Sequence, residues 1–311
     1  MDKQFDMLVI TGPTASGKTA LAAHLAYRLG GEIISADSRQ VYRNMNIGTG
    51  KDYNDYLIDN KKIPFHLIDI ADPGYKYNVF EYQHDFINVY DELKRRNVFP
   101  VVCGGSGMYI DSIINGYRLV QVPANEELRK QLETKAMDEL TKILSSYKRL
   151  HNSSDVDSKK RAIRAIEIEH FYSKSTPLQN DFPEIKSLVV GVMPDRETRR
   201  ERISSRLKQR INEGMMEEVK LLLENGVDSE TLIYYGLEYK YITLYLKNVL
   251  SFDDMFSALE IAIHQFAKRQ MTWFRGMERK GTEIRWLDCK MPLDEKIDSI
   301  LSWLKTSYIV S

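Results

Sequence analysis

The chain has 311 residues, 43% of them apolar and 28% charged, with 44 basic against 44 acidic side chains and no net charge. No stretch approaches the roughly 20 apolar residues of a membrane helix, and the N-terminus has neither the h-region nor the cleavage site of a signal peptide, so a cytoplasmic protein without a membrane partner is expected. Cys103 and Cys289 lie far apart and beside no histidine, which supports neither a disulfide framework nor a zinc cluster and predicts two buried thiols.

In chain order, Met7 to Thr11 reads as a fully buried strand and Lys18 to Leu29 as a helix. Between them, Gly12-Pro13-Thr14-Ala15-Ser16-Gly17-Lys18-Thr19 satisfies G-x-x-x-x-G-K followed by S or T at every required position. A loop of this kind curls so that its N–H groups point inward, Lys18 adds a mobile cation and the helix N-terminus adds its dipole. It therefore binds a polyphosphate. The Thr19 hydroxyl is placed to join the shell of a Mg²⁺ ion, which makes Mg²⁺ the expected cofactor.

Further strand-like runs occupy residues 32–36, 98–103, 188–192 and 283–287. About five parallel strands with intervening helices follow, an α/β fold of P-loop NTPase-like type: a doubly wound parallel sheet with helical insertions. His66 to Ile70 is the nearest approach to a Walker-B run ending in aspartate, too weak for a motor ATPase. Two helical stretches, from about residue 125 to 172 and from about 197 to 279, exceed what a minimal sheet needs. In the second, Ile203, Leu207, Ile211, Met215, Val219 and Leu222 recur at helical spacing, predicting one amphipathic helix with arginines on its opposite face. The expected organisation is a phosphate-binding core over 1–118, a helical insertion over 119–185, and 186–311 returning to the sheet with a helical RNA-binding region.

Three basic clusters stand out despite the zero net charge: residues 159–164, 196–210 and 268–280. Together they point to a polyanionic partner.

Beyond the phosphate loop, Asp37-Ser38-Arg39-Gln40-Val41-Tyr42, Ile47-Gly48-Thr49-Gly50-Lys51, Phe65-His66-Leu67-Ile68-Asp69 and Gly104-Gly105-Ser106-Gly107-Met108-Tyr109 follow in order. Then come Arg161-Ala162-Ile163-Arg164-Ala165-Ile166-Glu167, Gly214-Met215-Met216-Glu217-Glu218-Val219 and Lys268-Arg269-Gln270-Met271-Thr272-Trp273-Phe274-Arg275. This series, spanning nearly the whole chain, resembles the tRNA dimethylallyltransferase family. The chain departs from the pattern at Leu237-Glu238, where an aromatic and a basic residue are usual, and at Gly50-Lys51-Asp52, where Ala-Lys-Pro is usual.

The resemblance implies transfer of a dimethylallyl group from dimethylallyl diphosphate to N6 of the adenosine immediately 3′ of the anticodon in tRNA, with release of diphosphate. It implies Asp37 as the base, Lys18 and Arg202 as catalytic cations, and residues Gly12 to Thr19 as the diphosphate cradle. The anticodon loop would be held by Asp37, Ser38, Arg39, Gln40 and Ser106, by Lys160, Arg161, Ala162, Ile163 and Arg164, and by Lys268, Arg269, Gln270, Trp273 and Arg275. A monomer is expected. The competing readings are an adenylate isopentenyltransferase, which would leave the basic C-terminal helix little to bind, and a P-loop small-molecule kinase, which would leave the whole back half unexplained.

Overall fold

The computed structural model describes residues 5–148, 154–174 and 182–305. The described residues of Arg118–Pro183 form one compact unit and those on either side of it form the other.

The larger unit is built on six parallel strands in the order β5, β2, β6, β1, β7, β8. They are β1 (Met7–Thr11), β2 (Glu32–Ser35), β5 (Phe65–His66), β6 (Pro100–Gly104), β7 (Ser187–Met193) and β8 (Arg285–Asp288). β1 sits near the centre, with Val9 opposite Val102 on one side and Val189 on the other. Every residue of β1, β2 and β6 is buried, as expected of parallel strands covered on both faces. Five strands match the expected runs; β5 is added by Phe65-His66, too short to read as a strand. A two-stranded hairpin, β3 (Leu57–Ile58) and β4 (Lys61–Lys62), precedes it.

Around the sheet lie α1 (Lys18–Leu29), α2 (Val79–Arg95), α3 (Gly107–Ile114), α7 (Arg196–Asn212), α8 (Met215–Glu224), α9 (Ser229–Tyr235), α10 (Leu237–Leu246), α11 (Phe252–Arg279) and α12 (Leu293–Lys305). α1 and α12 pack Leu21, Leu25, Ile297 and Ile300 onto the strands. A second core, made by Ile203, Leu207, Met215, Val219, Tyr239, Met255 and Leu259, fastens α7, α8, α10 and α11 together over Val41, Tyr42 and Met45. The single amphipathic helix expected over 203–222 is two. Gly214 takes a left-handed conformation at φ 99° and serves as the N-cap of α8, so the apolar spacing continues across a corner. Among the described residues, no helix is long and apolar enough to cross a membrane. Cys103 and Cys289 are buried free thiols, as expected.

The smaller unit comprises α4 (Glu126–Glu133), α5 (Met137–Tyr147) and α6 (Lys159–Lys174). Its core is Leu132, Leu140, Leu144, Ala162, Ile163, Ala165 and Ile166. Among the RNA-contact candidates, Ala162 and Ile163 turn their side chains into this core, as part of the apolar face of α6. Arg164 is partly exposed, donating to the Val122 carbonyl at 2.9 Å and pairing with Glu167. Lys160 and Arg161 remain exposed, Arg161 paired with Asp157 at 2.5 Å.

Candidate active site

The phosphate loop links β1 to α1 at the carboxyl edge of the sheet, the position where open α/β sheets place their ligands. Ala15, Ser16, Gly17, Lys18 and Thr19 line a cleft of about 850 Å³, faced by Asn46, Ile47, Lys51, Asp52 and Asp55 and by Arg202, Arg206 and Arg210 of α7. The Ser16 hydroxyl is buried and has no hydrogen-bond partner among the described residues. Burying a hydroxyl without a partner is costly, and this one belongs to a residue that lines the cleft.

Lys18 donates weakly to the Pro13 carbonyl at 3.4 Å. Burial lowers its pKa; Cys103 and Asp37 pull it back up, and Arg206 and Arg210 push it further down. The ammonium therefore shares its field with a carboxylate and two guanidiniums. Beneath it, burial pushes the Cys103 thiol up to about 12 against the pull of Lys18, so this cysteine is a neutral packing group.

Asp37 follows β2 by two residues. Its Oδ1 accepts from the Arg39 amide at 2.9 Å, and no group among the described residues bonds its second oxygen. The Ser106 hydroxyl accepts from the Ser38 amide at 2.9 Å and donates to the Ser38 hydroxyl at 3.2 Å, joining the Asp37 loop to the turn after β6. Gln40 is committed internally: its Nε2 donates to the Gly50 carbonyl at 3.1 Å, and its Oε1 accepts from the Ser35 hydroxyl at 3.3 Å.

Gln270, only 8% exposed, has both ends of its amide bound to backbone. Its Oε1 accepts from the Thr14 amide and its Nε2 donates to the Gly105 carbonyl, each at 2.9 Å. Gly105 is the residue that fits there, since a Cβ would crowd that Nε2 and stand 3.2 Å from the Gly12 carbonyl. Gln270 thus ties α11 to the phosphate loop and to the β6 turn at once. Trp273, one turn on, rests its indole against Gly107, with a buried Nε1 that lacks a partner among the described residues. Lys268, Arg269 and Arg275 are exposed on the same helix.

Two supports went unread in the sequence. Glu218 on α8 accepts from the backbone N–H groups of Asn46, Ile47 and Gly48 at 2.7–3.0 Å and from the Tyr239 hydroxyl at 2.7 Å, which fixes the Ile47-Gly48-Thr49 turn. Asp69, the weak Walker-B carboxylate, instead pairs with Lys51 at 2.5 Å. The Lys51 side chain is fully buried and also donates to the Tyr42 carbonyl and Asn46 Oδ1, bracing the loop that faces the phosphate site. The recurrence of a carboxylate inside each short motif is the signal that could have found them.

The IPP transferase family model matches residues 40–277, and one described as isopentenyl transferase matches residues 5–70. A relative in Phocaeicola vulgatus, named tRNA dimethylallyltransferase 2, is 60% identical over 304 residues, 98% of this chain and 99% of its own. Among solved structures, the full-length tRNA isopentenylpyrophosphate transferase of Bacillus halodurans is similar at TM-score 0.69 and 30% identity, covering 96% of this chain and 95% of that one. A eukaryotic dimethylallyltransferase acting on tRNA shares the fold at TM-score 0.79 and 21% identity, covering 98% of this chain and 81% of its own. With a match across most of its length and relatives of such identity, the chain belongs to the IPP transferase family.

Proposed function

We propose that this protein transfers a dimethylallyl group from dimethylallyl diphosphate to N6 of the adenosine 3′ of the anticodon in tRNA. The observation that carries this reading is the phosphate loop walled by arginines, with Lys18 against the Gly105 turn to which Ser106 ties the Asp37 loop. The loop amides, the Ser16 hydroxyl and Lys18 hold the diphosphate. The adenine amine attacks the allylic carbon, the N–C bond forms as the C–O bond breaks, and the electron pair leaves on the diphosphate oxygen. The amine becomes strongly acidic as it bonds and gives up its proton, and the unbonded oxygen of Asp37 is the acceptor. The base must leave its stack, a cost of about a few kcal/mol that single-stranded loops keep low.

Mg²⁺ suits this site only with the diphosphate present. Among the described residues no group of three or more His, Cys, Asp or Glu side chains is arranged for a metal, whereas Thr19, Asp52 and Asp55 line the cleft with hard oxygen donors. There the ion would neutralise charge on the leaving group. Exposed Lys268, Arg269 and Arg275 suit an RNA backbone.

Incubation with dimethylallyl diphosphate labelled in the prenyl carbons, offered tRNA and AMP together, tests the reading. Label is expected in tRNA, and is expected to vanish when the adenosine 3′ of the anticodon is replaced by guanosine. Label in AMP alone would make the protein an adenylate prenyltransferase instead.

A further inference from the structure

Arg202, Arg206 and Arg210 recur every four residues along α7, share one of its faces, and all line the phosphate cleft. The last two lie over Gly50. A Cβ there would collide with Arg210 Nη2 and stand 3.1 Å from Arg206 Nη2, so the bare backbone of Gly50 is the seat of both guanidiniums. Arg206 is anchored by its ion pair with Asp52. Arg210 has no hydrogen bond or ion pair among the described residues; the carboxylates it feels are Glu238 first and then Asp52.

Burial and the neighbouring Arg206 lower the pKa of Arg210, with Glu238 opposing them. Burial likewise raises the Glu238 carboxyl, with Arg210 the first group to oppose it. Neither residue is neutralised in a close pair. A half-buried guanidinium held beside Lys18 and Arg206 is unfavourable until an anion completes the set.

We propose that Arg210, seated over Gly50 and balanced by Glu238, is a binding and catalytic residue for the diphosphate of the prenyl donor, sharing with Lys18 the charge left as the allylic C–O bond breaks. This rests on the prenyl-transfer reading above and names a further residue for it.

The test uses the full chain with Arg210→Met, which keeps an unbranched helix-forming side chain without the charge, and Gly50→Ala, which leaves the arginine in place but denies it its seat. Calorimetric affinity for inorganic diphosphate with Mg²⁺ is measured beside the KM values for dimethylallyl diphosphate and tRNA and the melting temperature. Loss of a charge-assisted bond predicts diphosphate affinity and donor kcat/KM about tenfold to a hundredfold lower in both variants, with the tRNA KM changed by less than about threefold. The double variant should be no worse than Gly50→Ala alone, because the added Cβ already unseats Arg210 while crowding Arg206. Unchanged diphosphate affinity overturns the proposal. A raised tRNA KM would then assign the guanidinium to an RNA phosphate, and a lowered melting temperature alone would make it structural. Diphosphate binding needs no prenyl transfer, so a wild-type protein that binds diphosphate through Arg210 yet fails to modify tRNA would refute the functional reading separately.

Discussion

At the scale of single residues, the proposed chemistry divides labour between two oxygens of one carboxylate. Asp37 uses Oδ1 to cap its own turn through the Arg39 amide, and the proposal gives its other oxygen the adenine proton. Asp37→Asn keeps an oxygen for the Arg39 amide and removes the basicity. It should therefore preserve tRNA affinity within about threefold while lowering turnover by roughly a hundredfold or more. Equal losses in equilibrium binding and single-turnover rate would take Asp37 out of the base role and make it an RNA contact.

Whole elements are held by buried polar ties as much as by apolar faces. In the smaller unit, Glu167 is 2% exposed and accepts from the Asn125 amide at 2.6 Å, from Arg129 Nε and Nη2 at 2.9 Å each, and from Arg164. Burial pushes its carboxyl up, but Arg129, the Asn125 amide and Arg164 outweigh that and hold its pKa below the ordinary 4.5. A depressed folded-state pKa contributes stability that is present above the unfolded value and is lost as pH falls through the folded one. The helices of 118–183 should thus loosen below about pH 4.5, and Glu167→Gln should weaken them at pH 7 by about 1–3 kcal/mol, since it removes the charge that two partly exposed arginines share. Hydrogen exchange of α4 and α6 amides checks both; protection indifferent to pH and to the substitution would show that apolar packing alone holds this unit.

The same ties explain what sequence can and cannot announce. The phosphate loop was legible because it is contiguous and flanked by a continuous apolar run and then a 3.6-residue period. The second strand of the hydrophobic argument, α7 into α8, misled because apolar spacing persists through the left-handed Gly214. A motif names a helix without naming its outward face, so the packing of Ala162 and Ile163 into a core was not readable from it. Gln270 lies 256 residues from Thr14, and no local pattern reveals a bond of that span. Arg206 and Arg210 were visible as a four-residue repeat with Arg202, but only tertiary packing brings that repeat to Lys18.

For the molecule as a whole, the front half of the chain supplies the phosphate loop and Asp37, and the helices after β7 return over the same edge of the sheet. α11 leaves Lys268, Arg269 and Arg275 exposed and, through Gln270 between them, grips the Thr14 amide of the phosphate loop. The central claim is that this loop holds the prenyl donor's diphosphate while RNA is held elsewhere. Equilibrium binding of dimethylallyl diphosphate and of tRNA to Lys18→Ala tests it most directly. Losing a buried cation to a polyphosphate should weaken the donor by about tenfold or more, with tRNA affinity within about twofold of wild type. A fall in tRNA affinity with donor binding unchanged would contradict the account.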